Sequence, residues 1–136
     1  MLGNKKNVEY FFAGFLDNEE LIEAYKEIKP WLFITTSATE GGAPVSMQEV
    51  LSLGVPCIGT NAGGIPEIIE NGCNGFLLKT DPNTSEIRTA IENYYRFTKE
   101  QRAEYRKNAF KTWEQRFDAK SNAGQLLQEL TVLLSK

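Results

Sequence analysis

Two glutamates flank a run of small residues in the stretch TEGGAPVSMQEV, residues 39–50. Glu40 is followed directly by Gly41 and Gly42, and Glu49 comes after a segment with helical character. A carboxylate accepts hydrogen bonds from sugar or ribose hydroxyls, and glycines let a ligand come close to the backbone. These residue types could therefore bind the hydroxyls of a sugar or a nucleotide. The alternative is an ordinary strand–loop–helix turn in which Glu40 is solvated or caps the helix.

The same stretch also predicts an anion site. Pro44 suits the first turn of a helix that runs to about Gly54. Free N–H groups at the start of a helix, together with the helix dipole, favour a phosphate. The groups that would serve here belong to Ala43, Val45 and Ser46. A nucleotide or sugar phosphate would satisfy both the anion site and the carboxylates.

A second glycine pair occurs in NAGGIPE, residues 61–67. Gly63 and Gly64 follow a predicted strand, and Glu67 comes shortly after them. One such turn is weak support for a binding site. Two turns at the ends of adjacent strands would face one crevice, which strengthens the interpretation.

Apolar runs alternate with amphipathic segments along the chain. We predict strands at 8–15, 31–37, 55–61 and 76–80, with helices at 19–29, 45–53, 85–98, 99–117 and 122–134. Strands that alternate with helices indicate an α/β fold, a Rossmann-like parallel sheet with flanking helices and a helical C-terminal segment. Ligands bind such sheets beyond the carboxyl ends of the strands, where both glycine pairs are predicted to lie.

The helices after residue 84 carry regular stripes of large apolar side chains, which we predict to be core or inter-helix packing. Those of the two later helices are Tyr105, Ala109, Trp113 and Phe117, then Leu126, Leu127, Leu130 and Leu134. The basic residues between 99 and 116 alternate with glutamates, which is typical of a solvated helix face.

Composition excludes several classes of function. A net charge of −3 gives no electrostatic footprint for nucleic acid or for an anionic membrane. The absence of histidine removes histidine-based acid–base catalysis and most zinc sites. We expect Cys57 to be a buried free thiol and Cys73 a loop thiol, with no metal site. No signal peptide or long apolar span is evident, so we expect a cytoplasmic protein.

The ordered series SATEGGAPVSMQE, GVPCIGTNAGGIPEII and NGCNGFL resembles one known family. It is similar to the C-terminal, nucleotide-sugar-binding domain of retaining glycosyltransferases with the GT-B fold, especially those that build bacterial capsular polysaccharide, lipopolysaccharide and exopolysaccharide. The resemblance covers about residues 8–80 and extends more loosely to the end. It implies one half of a GT-B fold and a parent enzyme that moves a sugar to a polysaccharide or lipid-linked acceptor.

The resemblance implies a role for each matching position. Glu40 would contact the donor sugar as the catalytic-site residue, and Glu49 would hold the ribose hydroxyls. The donor would also be bound by Gly41, Gly42, Ala43, Pro44, Val45 and Ser46, with Gly63 and Gly64 shaping the adjacent wall. Such enzymes need neither a cofactor nor a bound metal, and this sequence has no Asp-x-Asp.

Two departures from the family pattern bear on these roles. Eight residues separate Glu40 from Glu49, where the family has seven, so Glu40 is either restored to its place by a bulged loop or displaced. The family's upstream cationic pair and its N-terminal acceptor domain would precede residue 1. We therefore expect residues 1–136 to be a single donor-binding domain that is inactive alone. Its exposed inter-domain face could self-associate, and the parent could lie peripherally at the inner membrane face.

Three alternatives stay open. The chain could be a non-catalytic nucleotide- or sugar-binding or interaction module of the same fold, or a fragment of a GT-B nucleotide-sugar epimerase. A plain dinucleotide-binding domain is less favoured, because no G-x-G-x-x-G follows the first predicted strand.

Overall fold

A computed structural model describes residues 9–135. Strands and helices alternate up to β3, and helices alone follow it. In chain order the elements are α1 (Asn18–Ile28), β1 (Phe33–Ile34), α2 (Val45–Ser52), β2 (Cys57–Thr60), α3 (Ile65–Ile68), β3 (Gly75–Leu78), α4 (Thr84–Tyr95), α5 (Lys99–Arg116) and α6 (Ala119–Leu134).

The three strands form one parallel sheet in the order β1-β2-β3. Phe33 is in register with Cys57, and Ile58 is in register with Phe76. All four residues of β2 are buried, as a parallel strand with cover on both faces requires. The predicted α/β fold with a parallel sheet and flanking helices is confirmed.

Adjacent residues of β2 belong to different hydrophobic cores, because side chains alternate across a sheet. Cys57 packs with α2, α3 and Ala109 of α5 on one face. Ile58 packs with Leu78 and with Ala90 of α4 on the other face. The sheet is therefore the middle of three layers. The thiol of Cys57 lies fully inside one core, as predicted, and burial raises its pKa to about 12.

The predicted strand at 8–15 is wrong for residues 9–15, which form no strand, and Val8 lies outside the described residues. The aromatic side chains of this segment are exposed, Phe11 by 88% and Phe15 by 93%. A strand is stabilised by pairing its backbone groups with a neighbour, and the described chain offers this segment no partner. The other strands are shorter than predicted but lie inside the predicted ranges, except for Gly75.

The helix stripes have two different outcomes. In α5, Ala109 is fully buried and Trp113 packs on the core, so the predicted packing is confirmed there. In α6 it is wrong: Leu126 is 57% exposed and Leu134 is 87% exposed. The helix packs on α5, but nothing in residues 9–135 covers its leucine face.

Asn74, in the turn before β3, is a buried polar link between three elements. Its amide nitrogen donates to the carbonyl oxygen of Ile68 and to Thr112 Oγ1, both at 2.9 Å. Its amide oxygen accepts from the backbone N–H of Glu70 at 2.9 Å. Asn74, the second asparagine of the NGCNG motif, thus fixes the end of α3 against α5.

We expect Asn74→Ala to lower the free energy of unfolding by about 2–4 kcal/mol, since it leaves the buried carbonyl of Ile68 and the part-buried N–H of Glu70 without their partner. Urea denaturation measures the change. Asn93→Ala is the matched control, because Asn93 is exposed on α4 and alanine favours the helix. Equal stability of both variants would contradict the structural role of Asn74.

Candidate functional site

The two glycine-rich turns lie side by side at the carboxyl edge of the sheet. The loop of residues 37–44 follows β1, and the turn of residues 61–64 follows β2, its parallel neighbour. Thr60 Oγ1, at the end of β2, donates a hydrogen bond to the carbonyl oxygen of Ser37. The end of one strand is thereby tied to the first residue of the loop that leaves the other.

Gly63 and Gly64 bring the two turns into backbone contact. A Cβ on Gly63 would lie 1.9 Å from the carbonyl oxygen of Glu40, and Gly63 also has a positive φ of 50°. A Cβ on Gly64 would lie 2.4 Å from the backbone nitrogen of Ala43 and 2.4 Å from the carbonyl carbon of Gly42. No side chain fits at either position. The second glycine pair therefore forms the wall of the first loop.

Gly41 and Gly42 are in a different situation. Both are exposed, neither has a positive φ, and a Cβ on either would meet no atom of the described residues within 4 Å. Nothing in residues 9–135 therefore requires glycine there, and a Cβ at either position would meet open space.

Helix α2 begins at this loop with unused donors. Pro44 is its N-cap and makes no side-chain cap, and its carbonyl accepts from Met47 and Gln48. Within residues 9–135, the N–H groups of Val45 and Ser46 donate to no protein acceptor. These groups can hydrogen-bond an anion.

The side chain of Gln48 holds the loop in place at this helix end. Its Nε2 donates to the carbonyl oxygen of Ala43 at 3.1 Å. The predicted donors at Ala43, Val45 and Ser46 therefore lie on a segment fixed from both sides, by Gln48 and by Gly64.

The two glutamates lie half-buried on the same segment. In the part of the chain that the structure describes, neither carboxylate accepts a hydrogen bond or forms an ion pair. Glu49 lies on α2, and its negative charge, after burial, raises the pKa of Tyr25 on α1. Both carboxylates keep their acceptor capacity for hydroxyl groups.

Sequence reasoning missed two residues that shape this site. Thr60 and Gln48 hold the loop through side-chain hydrogen bonds. Thr60 is the last residue of the buried strand β2, a position that could have drawn attention to its hydroxyl.

A metal site is not evident. Among residues 9–135, no group of three or more Cys, Asp or Glu side chains is placed to hold a metal ion. None of the helices in that range is long and apolar enough to cross a membrane.

Residues 2–112 match the family model described as glycosyl transferases group 1. The chain belongs to this family. Three curated relatives fit the assignment. N-acetyl-alpha-D-glucosaminyl L-malate synthase of Bacillus anthracis is 46% identical over 46 residues, which are 34% of this chain and 12% of that protein. The amylovoran biosynthesis glycosyltransferase AmsK of Erwinia amylovora is 33% identical over 68 residues, 48% of this chain and 17% of that protein.

The third relative is the putative colanic acid biosynthesis glycosyltransferase WcaL of Salmonella typhimurium, 31% identical over 68 residues, 48% of this chain and 17% of that protein. The chain thus spans 12–17% of the length of these relatives.

Solved structures of nucleotide-bound proteins share the fold. Anabaena HepE in complex with UDP superimposes with a TM-score of 0.66 at 28% identity, over 85% of this chain and 30% of that one. HepE in complex with UDP-glucose gives a TM-score of 0.59 at 29% identity, over 83% of this chain and 29% of that one. This group 1 domain therefore has the fold of one half of a GT-B glycosyltransferase.

We expect Gly64→Ala to destabilise the domain by about 2–4 kcal/mol, because its Cβ would overlap the backbone of Gly42 and Ala43. Gly41→Ala is the matched control. It meets open space at an ordinary φ and should change stability by less than about 0.5 kcal/mol. Urea denaturation of both variants measures the difference, and a Gly64→Ala protein as stable as the control would contradict the close approach of the turns.

Proposed function

We propose that this domain binds a nucleotide diphosphate sugar as the donor half of a glycosyltransferase. One observation carries the proposal. At the carboxyl edge of the sheet, two glycine-rich turns are in backbone contact beside the start of α2, where the N–H groups of Val45 and Ser46 have no acceptor within residues 9–135. Within the same residues, the carboxylates of Glu40 and Glu49 form no hydrogen bond or ion pair. The HepE structures, which contain UDP or UDP-glucose, support a donor of this chemical class.

The proposed roles follow from the chemistry of each group. The donors of Val45 and Ser46 bind the diphosphate, with Gly41 and Gly42 leaving room above the loop. Glu49 accepts hydrogen bonds from the ribose hydroxyls, and Glu40 accepts them from the donor sugar.

Glu40 and Glu49 suit hydroxyls better than phosphates, since carboxylates repel like charge. Backbone N–H donors fixed before the reaction can also stabilise charge that develops on the leaving diphosphate.

The whole parent protein is a wider proposal. It would transfer the sugar with retention of configuration, without a metal, to a polysaccharide or lipid-linked acceptor bound by an N-terminal domain. The likeness to AmsK and WcaL, named for amylovoran and colanic acid biosynthesis, supports a polysaccharide product. The domain alone would not transfer sugar, because the acceptor would be bound elsewhere. We place the parent in the cytoplasm, at the inner face of the membrane.

Titration with UDP, followed by amide chemical shifts, tests the donor site. We expect saturable shifts at residues 41–49, and we expect Glu49→Gln to weaken UDP binding about tenfold through loss of a charged acceptor, about 1.4 kcal/mol. Glu67→Gln is the matched control, since Glu67 is exposed on α3 and the charge change is the same. No UDP binding by the native domain at millimolar ligand would contradict the proposal.

A ribose-modified ligand separates the role of Glu49 from a general effect of charge. With 2′,3′-dideoxyuridine diphosphate, native protein should bind no more tightly than Glu49→Gln, because the hydroxyl partners are gone and the carboxylate only repels the diphosphate. A tenfold difference that persists with this ligand would show that Glu49 acts elsewhere than at the ribose.

Self-association is a further expectation, supported by exposed apolar surface. Besides the aromatic residues of 10–15, the outer face of α6 exposes Leu133 by 66% and Leu134 by 87%. Surfaces of this kind mark interaction sites. We expect the mass from light scattering to rise with protein concentration, and a monomer at all concentrations would contradict the expectation.

A further inference from the structure

A cavity lies at the edge of the sheet opposite the proposed donor site. It has a volume of about 480 Å³ and is lined by four cationic and two aromatic side chains, Lys29, Lys99, Arg102, Arg106, Trp31 and Tyr94. Trp31 precedes β1, so the cavity faces the amino ends of the strands. No carboxylate lines it, although the chain carries a net charge of −3.

The two arginines are held in fixed positions by the backbone around the cavity. Arg106 donates to the carbonyl oxygen of Pro30 at 3.1 Å and to that of Leu53 at 3.3 Å. Arg102 donates to the carbonyl oxygen of Tyr95 at 3.2 Å. An arginine has five N–H donors, so both guanidinium groups retain donors after these bonds.

Aromatic rings support the same arrangement. The guanidinium of Arg102 lies 4.7 Å from the ring centroid of Trp31, which also stacks on Tyr95. Burial raises the pKa of Tyr94. The charges of Arg106 and Arg102 act in the opposite direction, which indicates that both guanidinium groups lie near this ring. These contacts account for the positions of the two arginines. They do not account for the two lysines that also line the cavity.

Lys29 and Lys99 are the other two cations that line the cavity. Neither forms an ion pair within residues 9–135, and both are exposed. Lys29 ends α1 with a positive φ of 50°, a conformation that favours glycine. Lys99 occupies the first turn of α5, where the helix dipole disfavours a cation. The φ of Lys29 and the charge of Lys99 are thus locally unfavourable, whereas the charge of Lys29 suits the C-terminal end of α1.

We propose that this cavity is a binding site for a phosphate group, separate from the donor site. Fixed guanidinium groups bind phosphate oxygens through paired N–H donors, and the lysines add mobile positive charge. The phosphate could belong to a soluble molecule or to a lipid headgroup, and both sources present the same oxyanion. The carboxyl edge stays free for the nucleotide sugar, so both ligands can be bound together.

Inorganic phosphate at constant ionic strength is the first probe, read by amide shifts of the full chain without added nucleotide. We expect saturable shifts at residues 29–31 and 99–106. Lys99→Glu should weaken phosphate binding at least about tenfold, because it reverses a charge in the cavity. The variant should fold, since a glutamate is favourable in the first turn of a helix.

Lys120→Glu is the matched control, with the same charge change in the first turn of α6 and outside the cavity. It should bind phosphate like the native chain. Lys29→Gly is the second variant: it removes a charge, relieves the positive φ and should weaken binding while stability holds or rises. Equal loss in Lys99→Glu and Lys120→Glu, or no shifts around the cavity, would overturn the proposal.

Co-sedimentation with vesicles distinguishes the two sources. Binding to phosphatidylglycerol vesicles but not to phosphatidylcholine vesicles, lost in Lys99→Glu and retained in Lys120→Glu, identifies a lipid phosphate. Phosphate shifts without vesicle binding identify a soluble phosphate compound. Failure of both probes would overturn the site, and the UDP titration would still report separately on the donor site.

Discussion

The close approach of two backbone segments organises the carboxyl edge of this domain. Because Gly63 and Gly64 have no side chains, the turn after β2 packs against the backbone of Glu40, Gly42 and Ala43. The loop after β1 therefore has one position, and α2 starts from it. The same turn leads directly into α3, which places Ile65 and Ile68 in the core below. Core packing and loop position are thus coupled through two residues.

The sequence predicted the architecture because its signals were local and mutually consistent. Helical periodicity predicted a helix at 19–29, where the structure has α1 starting from a capping box of Asp17 and Glu20, and the alternation of strands with helices indicated a parallel sheet. Strand pairing and helix burial are harder to predict from local sequence, since they depend on whether another segment packs against the strand or helix. Residues 9–15 have the composition of a strand and the leucines of α6 have the spacing of a packed face, yet both are exposed. A hydrophobic pattern indicates which face of an element is suited to burial, but it does not identify the segment that buries that face.

The candidate site shows the same division between residue type and residue context. Both glycine pairs were predicted to lie at a ligand site, and their sequence alone does not distinguish the role of one pair from that of the other. In the structure the second pair is required by neighbouring backbone, whereas the first pair is required by nothing in the described chain. The partners of Gly63 lie more than twenty positions away in sequence, so local spacing could not identify them. The roles of Glu40 and Glu49 as hydroxyl acceptors stay predictions, and the fold adds that both carboxylates are unpaired there.

The distribution of charge constrains how a nucleotide diphosphate could be held. Neither the loop of residues 37–44 nor the turn of residues 61–64 contains a lysine or an arginine, while two carboxylates lie on the same segment as the free donors of α2. Neutral N–H groups can orient a diphosphate, but they offset only part of its repulsion by Glu40 and Glu49. The remaining positive charge must come from side chains outside these two segments. The cations that line the cavity of Lys29, Lys99, Arg102 and Arg106 face the amino ends of the strands, away from this loop. Under the proposed function, cationic groups beyond the two glycine-rich turns supply the remaining charge, and the turns position the donor more than they neutralise it.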